Sequence, residues 1–205
     1  MTDERTPRRR RSPEEAEREI LDAAESFLRE RPFRELTVEE VMARTGLSRP
    51  AFYAYFRDRY GLVRGILERV GSELFEIDRA WLEGTGEDSR VKVRETLEGG
   101  AAFFARRGPL LRAVNDAASG DQEIERMYRF GLIKRFAQAV TARIRQGQAE
   151  GEMSAELDPE AVGLALVLMT ERYLLDTVSR DAEIDPEPIV EALTTIWTRT
   201  LYEPI

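Results

Sequence analysis

Residues 36–62 read LTVEEVMARTGLSRPAFYAYFRDRYGL. Thr37, with Glu40 three positions on, is a capping box that opens a short helix through Val41, Met42 and Ala43. Gly46 fits the left-handed position that closes such a helix. Ser48 caps the next one, Pro50 lies in its first turn, and that helix carries Ala51-Phe52-Tyr53-Ala54-Tyr55. Two short helices joined by a tight turn containing glycine are the sequence form of a helix-turn-helix. Asp58 then caps a longer helix bearing Leu62, Val63, Ile66, Leu67, Val70, Leu74 and Phe75.

The chemistry of this stretch suits double-stranded DNA. A reader helix must enter the major groove end-first and be braced on phosphates. Thr37 sits at a helix N-terminus, where a hydroxyl, free N–H groups and the helix dipole favour a phosphate. Ser48, Arg49, Pro50 and Ala51 begin the second helix, the part that reaches base edges. Arg49 can pair with guanine O6 and N7, and Pro50 or Ala51 can meet a thymine methyl. Tyr53 and Tyr55 diverge by about 200° around a helix and can reach toward both backbone walls. Arg59 adds a phosphate contact from the helix after the Asp58 cap. Each also has a plainer reading: Thr37 and Ser48 as caps, Tyr53 or Tyr55 as core aromatics. Phe52 and Phe56, four apart, are core.

Working outward, the pattern is helical throughout, with no strand alternation and no repeat. Ser12, Pro13 and Glu15 start a first helix with Ile20, Leu21, Ala24, Phe27 and Leu28 on one face, and Pro32 ends it. Beyond a weak stretch at 84–89, helices are expected at 90–106, 109–119, 121–149, 159–180 and 187–202, with prolines near starts and glycines at breaks. The expectation is therefore an all-α fold of about nine helices. Residues 1–13 form a basic arm, 14–60 a helix-turn-helix domain, and 61–205 a helical domain that the resemblance given below implies to be ligand-binding and dimerising. The run Val-Gly-Leu-Ala-Leu-Val-Leu-Met at 162–169 is apolar all round, and Ile189, Leu193, Ile196, Trp197 and Leu201 make one stripe. Such a pair is either a buried monomer core or half of a four-helix interface between two copies.

Composition narrows the function. The 205 residues contain no cysteine and no histidine. That excludes thiolate chemistry, Ser-His-Asp catalysis and imidazole zinc sites. Neither a metal site nor a cofactor is expected, and an enzyme would have to rely on carboxylates such as Glu171 or Asp176. The net charge of −8 is unevenly spread: residues 1–60 hold 13 Arg against 13 Asp and Glu, so all the excess acid lies beyond them. Arg5, Arg8, Arg9, Arg10 and Arg11 form an arm that is either a solvated tail or a reach into phosphates and minor groove. The polar, Arg-rich start lacks the apolar stretch of a signal peptide, and no run approaches the roughly 20 apolar residues of a bilayer span. The expected address is the cytoplasm, with no membrane partner.

Residues 15–62 resemble the DNA-binding domain of the TetR family. The likeness lies in the amphipathic first helix, the threonine opening the second, Gly46-Leu47-Ser48, Phe52-Tyr53, Tyr55-Phe56, and the polar cap followed by a basic residue. It departs at Arg59, where lysine is usual, and at Tyr60, where glutamate is common. Ser48 through Tyr53, Met169-Thr170-Glu171-Arg172, and Ile196-Trp197 through Leu201-Tyr202-Glu203 are similar to segments of a mycobacterial repressor of that family. The resemblance implies a homodimer through the last two helices, a palindromic DNA operator, and an elongated pocket for a small hydrophobic effector. Carried over by position, Thr96, Gly99, Phe103, Ile133, Phe136, Val140, Val167, Thr170, Glu171, Leu174 and Trp197 would line that pocket. Val167 and Thr170 stand where the relative has asparagines, and Thr96 where it has an aromatic. Thr170, Glu171 and Tyr173 are the candidate orienting groups. The function implied is a ligand-responsive repressor; the alternative is a ligand-independent or activating regulator of the same fold.

Overall fold

Ser12 starts α1 (Pro13–Glu30) with a complete capping box: its Oγ accepts the Glu15 N–H, and its own N–H donates to Glu15 Oε2 at 2.9 Å. The apolar face of α1 then buries Ile20, Ala24, Phe27 and Leu28. The computed structural model describes residues 11–84, 89–180 and 183–203. The arginines expected as a basic arm therefore lie outside the described residues, except Arg11. After a 3-10 turn at Phe33–Glu35 come α2 (Val38–Ala43), α3 (Arg49–Phe52), α4 (Arg59–Leu82) and α5 (Ser89–Gly120). The run 122–150 is α6. It is α-helical at Gln122–Arg126, a π-helix at Met127–Ile133, and α-helical again over Lys134–Glu150. Two more helices follow, α7 (Pro159–Asp176) and α8 (Glu187–Tyr202).

The described residues thus form eight helices and no strand, not nine helices. The difference is at Pro109, expected to open a new helix but found inside α5. Proline removes one helical hydrogen bond and crowds the carbonyl four residues back, which normally breaks or kinks a helix. Here Gly108 lies against Ser179, where a Cβ would sit 2.7 Å from the Ser179 carbonyl oxygen. The Ser179 hydroxyl donates to the Phe104 carbonyl at 3.3 Å. Tertiary packing holds the helix together where local propensity would end it. At the other end, α7 closes at Asp176, short of residue 180, because Thr177 leaves helical geometry (φ −110, ψ −86).

Two local readings in the head are also corrected. Gly46 is not left-handed; among the described residues only Gly84 and Gly151 have positive φ. Gly46 is instead held by its N–H, which donates to Glu19 Oε1 at 2.7 Å, beside the Arg11 guanidinium. The second capping box is half formed. Thr37 Oγ1 accepts the Glu40 N–H at 3.2 Å, while the Glu40 carboxylate faces Arg31 at 3.5 Å.

A buried acid ties the head to the helices behind it. Glu25 of α1 is 2% exposed and receives Arg69 of α4 and Arg107 of α5, the latter at 2.6 Å. Arg107 also meets Glu73 at 2.8 Å. These partners leave no lone buried charge at the junction, which an interior carboxylate requires.

Candidate nucleic-acid interface and effector cavity

The head presents α3 on its surface. Phe52 and Phe56 are buried with ring centroids 5.7 Å apart, which fixes the orientation of the short helix. Tyr53 packs edge-on against Phe52 at 5.2 Å yet remains 56% exposed. Thr37, Ser48, Arg49 and Pro50 are exposed, and Ala51 and Tyr55 are half-buried. The helix is shorter than expected. Regular α-geometry stops at Phe52, and Ala54 and Tyr55 bond back three residues, to Ala51 and Phe52. Ser48 occupies the cap position, but its hydroxyl makes no cap bond.

Charge pairing singles out the free cations. Arg11, Arg31 and Arg44 are matched by Glu19, Glu35 and Glu30 at 2.8, 3.0 and 2.8 Å. Among the described arginines of the head, Arg18, Arg49 and Arg57 are exposed with no ion pair, and of these Arg49 and Arg57 stand at the two ends of the reader segment. Arg57 was missed by the sequence reading; its place between the buried Phe56 and the Asp58 cap was the available signal. Arg59 is placed apart from the others. Its guanidinium lies over the Phe33 ring at 4.7 Å and near Tyr60, turned into a groove between head and body. Tyr60, where the family pattern has glutamate, donates its hydroxyl to Asp121 Oδ2 at 2.9 Å. Asp121 caps α6 by accepting the Glu123 and Ile124 N–H groups. These bonds hold its carboxyl below the usual range despite the opposing effect of burial.

Behind the head, α4, α5, α6, α7 and α8 enclose a cavity of about 110 Å³. Thr96, Ile133, Phe136, Val140, Val167, Thr170, Glu171, Leu174 and Trp197 line it; Gly99 and Phe103 do not. Both exceptions lie on α5, and in each the next residue, Gly100 or Phe104, takes the place in the wall. One residue is about 100° of helix rotation. The stripe Val93, Leu97, Gly100 and Phe104 faces the cavity. Gly99 faces α4, where a Cβ would meet Ile77 Cγ2 at 2.6 Å.

Two of the three polar groups expected to orient a ligand, Thr170 and Glu171, are engaged by other side chains of the wall. Trp197 Nε1–H donates to Thr170 Oγ1 at 2.9 Å, and the Tyr128 hydroxyl donates to Glu171 Oε1 at 2.5 Å. Burial raises the pKa of both Glu171 and Tyr128, and the neighbouring carboxylate raises Tyr128 further. Tyr173 is exposed and not in the wall. Sequence reasoning missed Asp78 and Trp81 of α4, and Tyr128 of the π segment. Asp78 was legible as an acid interrupting an otherwise apolar stripe, Leu67, Leu74, Trp81. Burial pushes its pKa up to about 7.

Among the described residues no group of three or more potential metal ligands occurs, and no helix is long and apolar enough to cross a membrane.

Residues 93–203 match the family described as the C-terminal domain of the transcriptional regulator EthR, and residues 20–66 match the tetR family of bacterial regulatory proteins. The HTH-type transcriptional regulator EthR of Mycolicibacterium smegmatis is 27% identical over 207 residues, covering 97% of this chain and 93% of that one. EthR of Mycobacterium tuberculosis is 27% identical over 205 residues, covering 96% and 93%. Among solved structures, a putative TetR-family regulator from Syntrophomonas wolfei superposes with TM-score 0.79 at 17% identity over 92% of this chain and 95% of that one. Salmonella enterica GusR gives 0.79 at 18% identity over 95% and 99%.

Proposed function

The chain belongs to the tetR family of bacterial regulatory proteins, with a C-terminal domain of the EthR type; on that premise we propose that it is a ligand-responsive repressor whose dimer grips a palindromic operator and is released by a small effector with an apolar body. That it is a DNA-binding transcriptional regulator and no enzyme follows from the family. The observation that carries the finer reading is the path of α4. Its start, capped by Asp58, follows α3 after six residues and lies against the head, where Gly65 meets Leu21 of α1 and Phe56, and its later turns supply Leu74, Asp78 and Trp81 to the cavity wall. One helix therefore runs from the core of the head to the cavity wall. The Tyr60–Asp121 bond supports a second link, because α6 begins at Asp121 and reaches the cavity through Tyr128, Leu132 and Ile133.

In this reading residues 14–60 bind DNA, with Thr37, Ser48, Arg49, Pro50, Ala51, Tyr53 and Tyr55 at the operator and Arg57 as a further cation. Arg59 reaches a phosphate by leaving its stack on Phe33, and the arm at 1–13 adds charge. Residues 61–205 hold the effector and pair with a second copy in the cytoplasm. Leu164 (44% exposed) and Leu168 on α7, with Ile196 (42%) on α8, support pairing through the last two helices. Two heads must then match half-sites about one helical turn apart, or a multiple of that. An effector that favours another spacing loosens one grip, and operator DNA weakens effector binding by the same factor.

The test is a titration of the protein against DNA flanking its own gene at two salt concentrations, with an Arg49→Ala/Tyr53→Phe variant alongside. Site-selective binding that falls with salt and collapses in the variant supports the reading. Equal binding to unrelated DNA, unchanged in the variant, refutes it.

A further inference from the structure

The cavity wall contains no lysine or arginine, and its two charged side chains, Asp78 and Glu171, are both acids. They differ in one respect. Glu171 accepts a hydrogen bond from Tyr128, whereas Asp78 has no hydrogen bond and no ion pair among the described residues. The arginines that α6 turns toward α4 are committed elsewhere: the Arg143 Nε–H donates to the Trp81 carbonyl at 3.1 Å and its Nη2 meets Glu152 at 2.8 Å, while Arg135 lies over the Phe75 ring at 4.7 Å. A carboxyl facing an apolar cavity without a partner is costly. Such groups are ordinarily paired, or they take up a proton. Burial does raise the pKa of this one, to about 7.

Three ligand chemistries can be weighed against this wall. An anionic ligand would bring a second or third negative charge into a space with no cation to receive it. A neutral ligand would leave the Asp78 carboxyl as poorly partnered as before, or use it only in its protonated form. A protonated amine supplies both the missing charge and N–H donors. Its apolar remainder would lie among Trp81, Trp197, Phe104 and Phe136, whose ring faces also favour a cation. The volume, about 110 Å³, is below the roughly 300–1,000 Å³ of drug-sized sites and below the roughly 150 Å³ that admits benzene, so the occupant is small and a ring-bearing amine widens the cavity as it enters.

We propose that the effector is a small amphipathic amine, bound with its ammonium group against the Asp78 carboxylate and its apolar body in the aromatic part of the cavity. The proposal rests on the effector reading above and specifies its chemistry. No covalent step is involved; ligand and protein form an ion pair.

The test uses the full chain without DNA and three probes with the same phenylethyl body and different head groups: phenethylamine, 2-phenylethanol and 3-phenylpropanoate. Binding is read by calorimetry at pH 6 and pH 8. Phenethylamine should bind best, and about tenfold more tightly at pH 8, where Asp78 is ionised and an alkylammonium is still protonated. Glu171 and Tyr128, the other titratable groups of the wall, have raised pKa values and are held by each other. Their contribution is separated by the Asp78→Asn variant, which should lose at least tenfold in amine affinity and the pH dependence with it. That variant should keep 2-phenylethanol binding, which also reports that it is folded. Equal amine binding by the variant, preference for 3-phenylpropanoate, or no binding of any probe overturns the proposal. Loss of DNA binding or of effector release, measured separately, would count against the repressor reading and leave the amine site standing.

Discussion

Replacing Asp78 by asparagine should stabilise the protein, and by an amount that depends on pH. In the folded chain burial holds the Asp78 pKa near 7, against an ordinary 3.8. Between those values the folded state keeps a proton that the unfolded chain has released, so stability falls as pH rises through that window. The penalty is absent below 3.8 and complete above 7. Each pH unit between the two pKa values is worth about 1.4 kcal/mol, so the full penalty is at most about 4 kcal/mol. Water at the partly open carboxyl lowers it toward about 2 kcal/mol. Asparagine fills nearly the same volume and never ionises. The assay is urea denaturation of both proteins at pH 5 and pH 8, at one fixed protomer concentration because pairing contributes to stability. The variant should gain most at pH 8 and less than half as much at pH 5. The desolvation of the amide is the same at both pH values and cancels from that comparison. An equal effect at the two pH values, or a larger gain at pH 5, would refute the burial argument for Asp78.

Arg49→Ala alone should weaken operator binding by about 10–100-fold, the worth of one bidentate base contact, with unchanged thermal stability, since the side chain is exposed and unpaired; a gel-shift titration and a melting curve read both. Glu25→Ala should cost about 1–3 kcal/mol in urea denaturation, because Arg107 and Arg69 lose a buried partner while retaining Glu73 and Asp22. Leu164→Glu combined with Ile196→Glu should give a monomer in analytical ultracentrifugation with its helix content unchanged by circular dichroism; a persisting dimer would place the contact on another face. Tyr60→Phe should leave operator affinity within about twofold, yet blunt release by any effector found.

Much of this was readable in the sequence because the signals are local. Ser12, Thr37 and Asp58 cap the helices they precede, and Phe52 and Phe56 are core because they share a face. What escaped depended on contacts between distant residues. Pro109 reads as a helix start to any rule that considers α5 alone; only the approach of Ser179 shows why the helix continues. The cavity on α5 was misplaced by one residue at Gly99 and Phe103, since a resemblance carried over position by position has no way to sense 100° of helix rotation. Arg59 reads as an outward-facing cation, and only the folded chain shows it stacked on Phe33 and Tyr60. Asp78 lay in plain view, yet an acid on an apolar stripe looks like an ordinary solvated residue until the neighbours that bury it are known. Tyr60 stood out only as a departure from the family pattern, and its role was hidden because its partner Asp121 is 61 positions away.

The proline inside α5 also divides a long lever. At 1.5 Å per residue the helix is about 48 Å long, with about 30 Å before Pro109 and about 18 Å from there to its end. The longer arm carries Val93, Thr96, Leu97 and Gly100 into the cavity; the shorter one carries Ala113 and Ala117 into the groove against Phe33 and Arg59 of the head. With Gly108 seated on Ser179 as the fulcrum, a sideways push of 1 Å at the far end of the cavity arm would emerge at the head end reversed, and reduced to about 0.6 Å by the ratio of the arms.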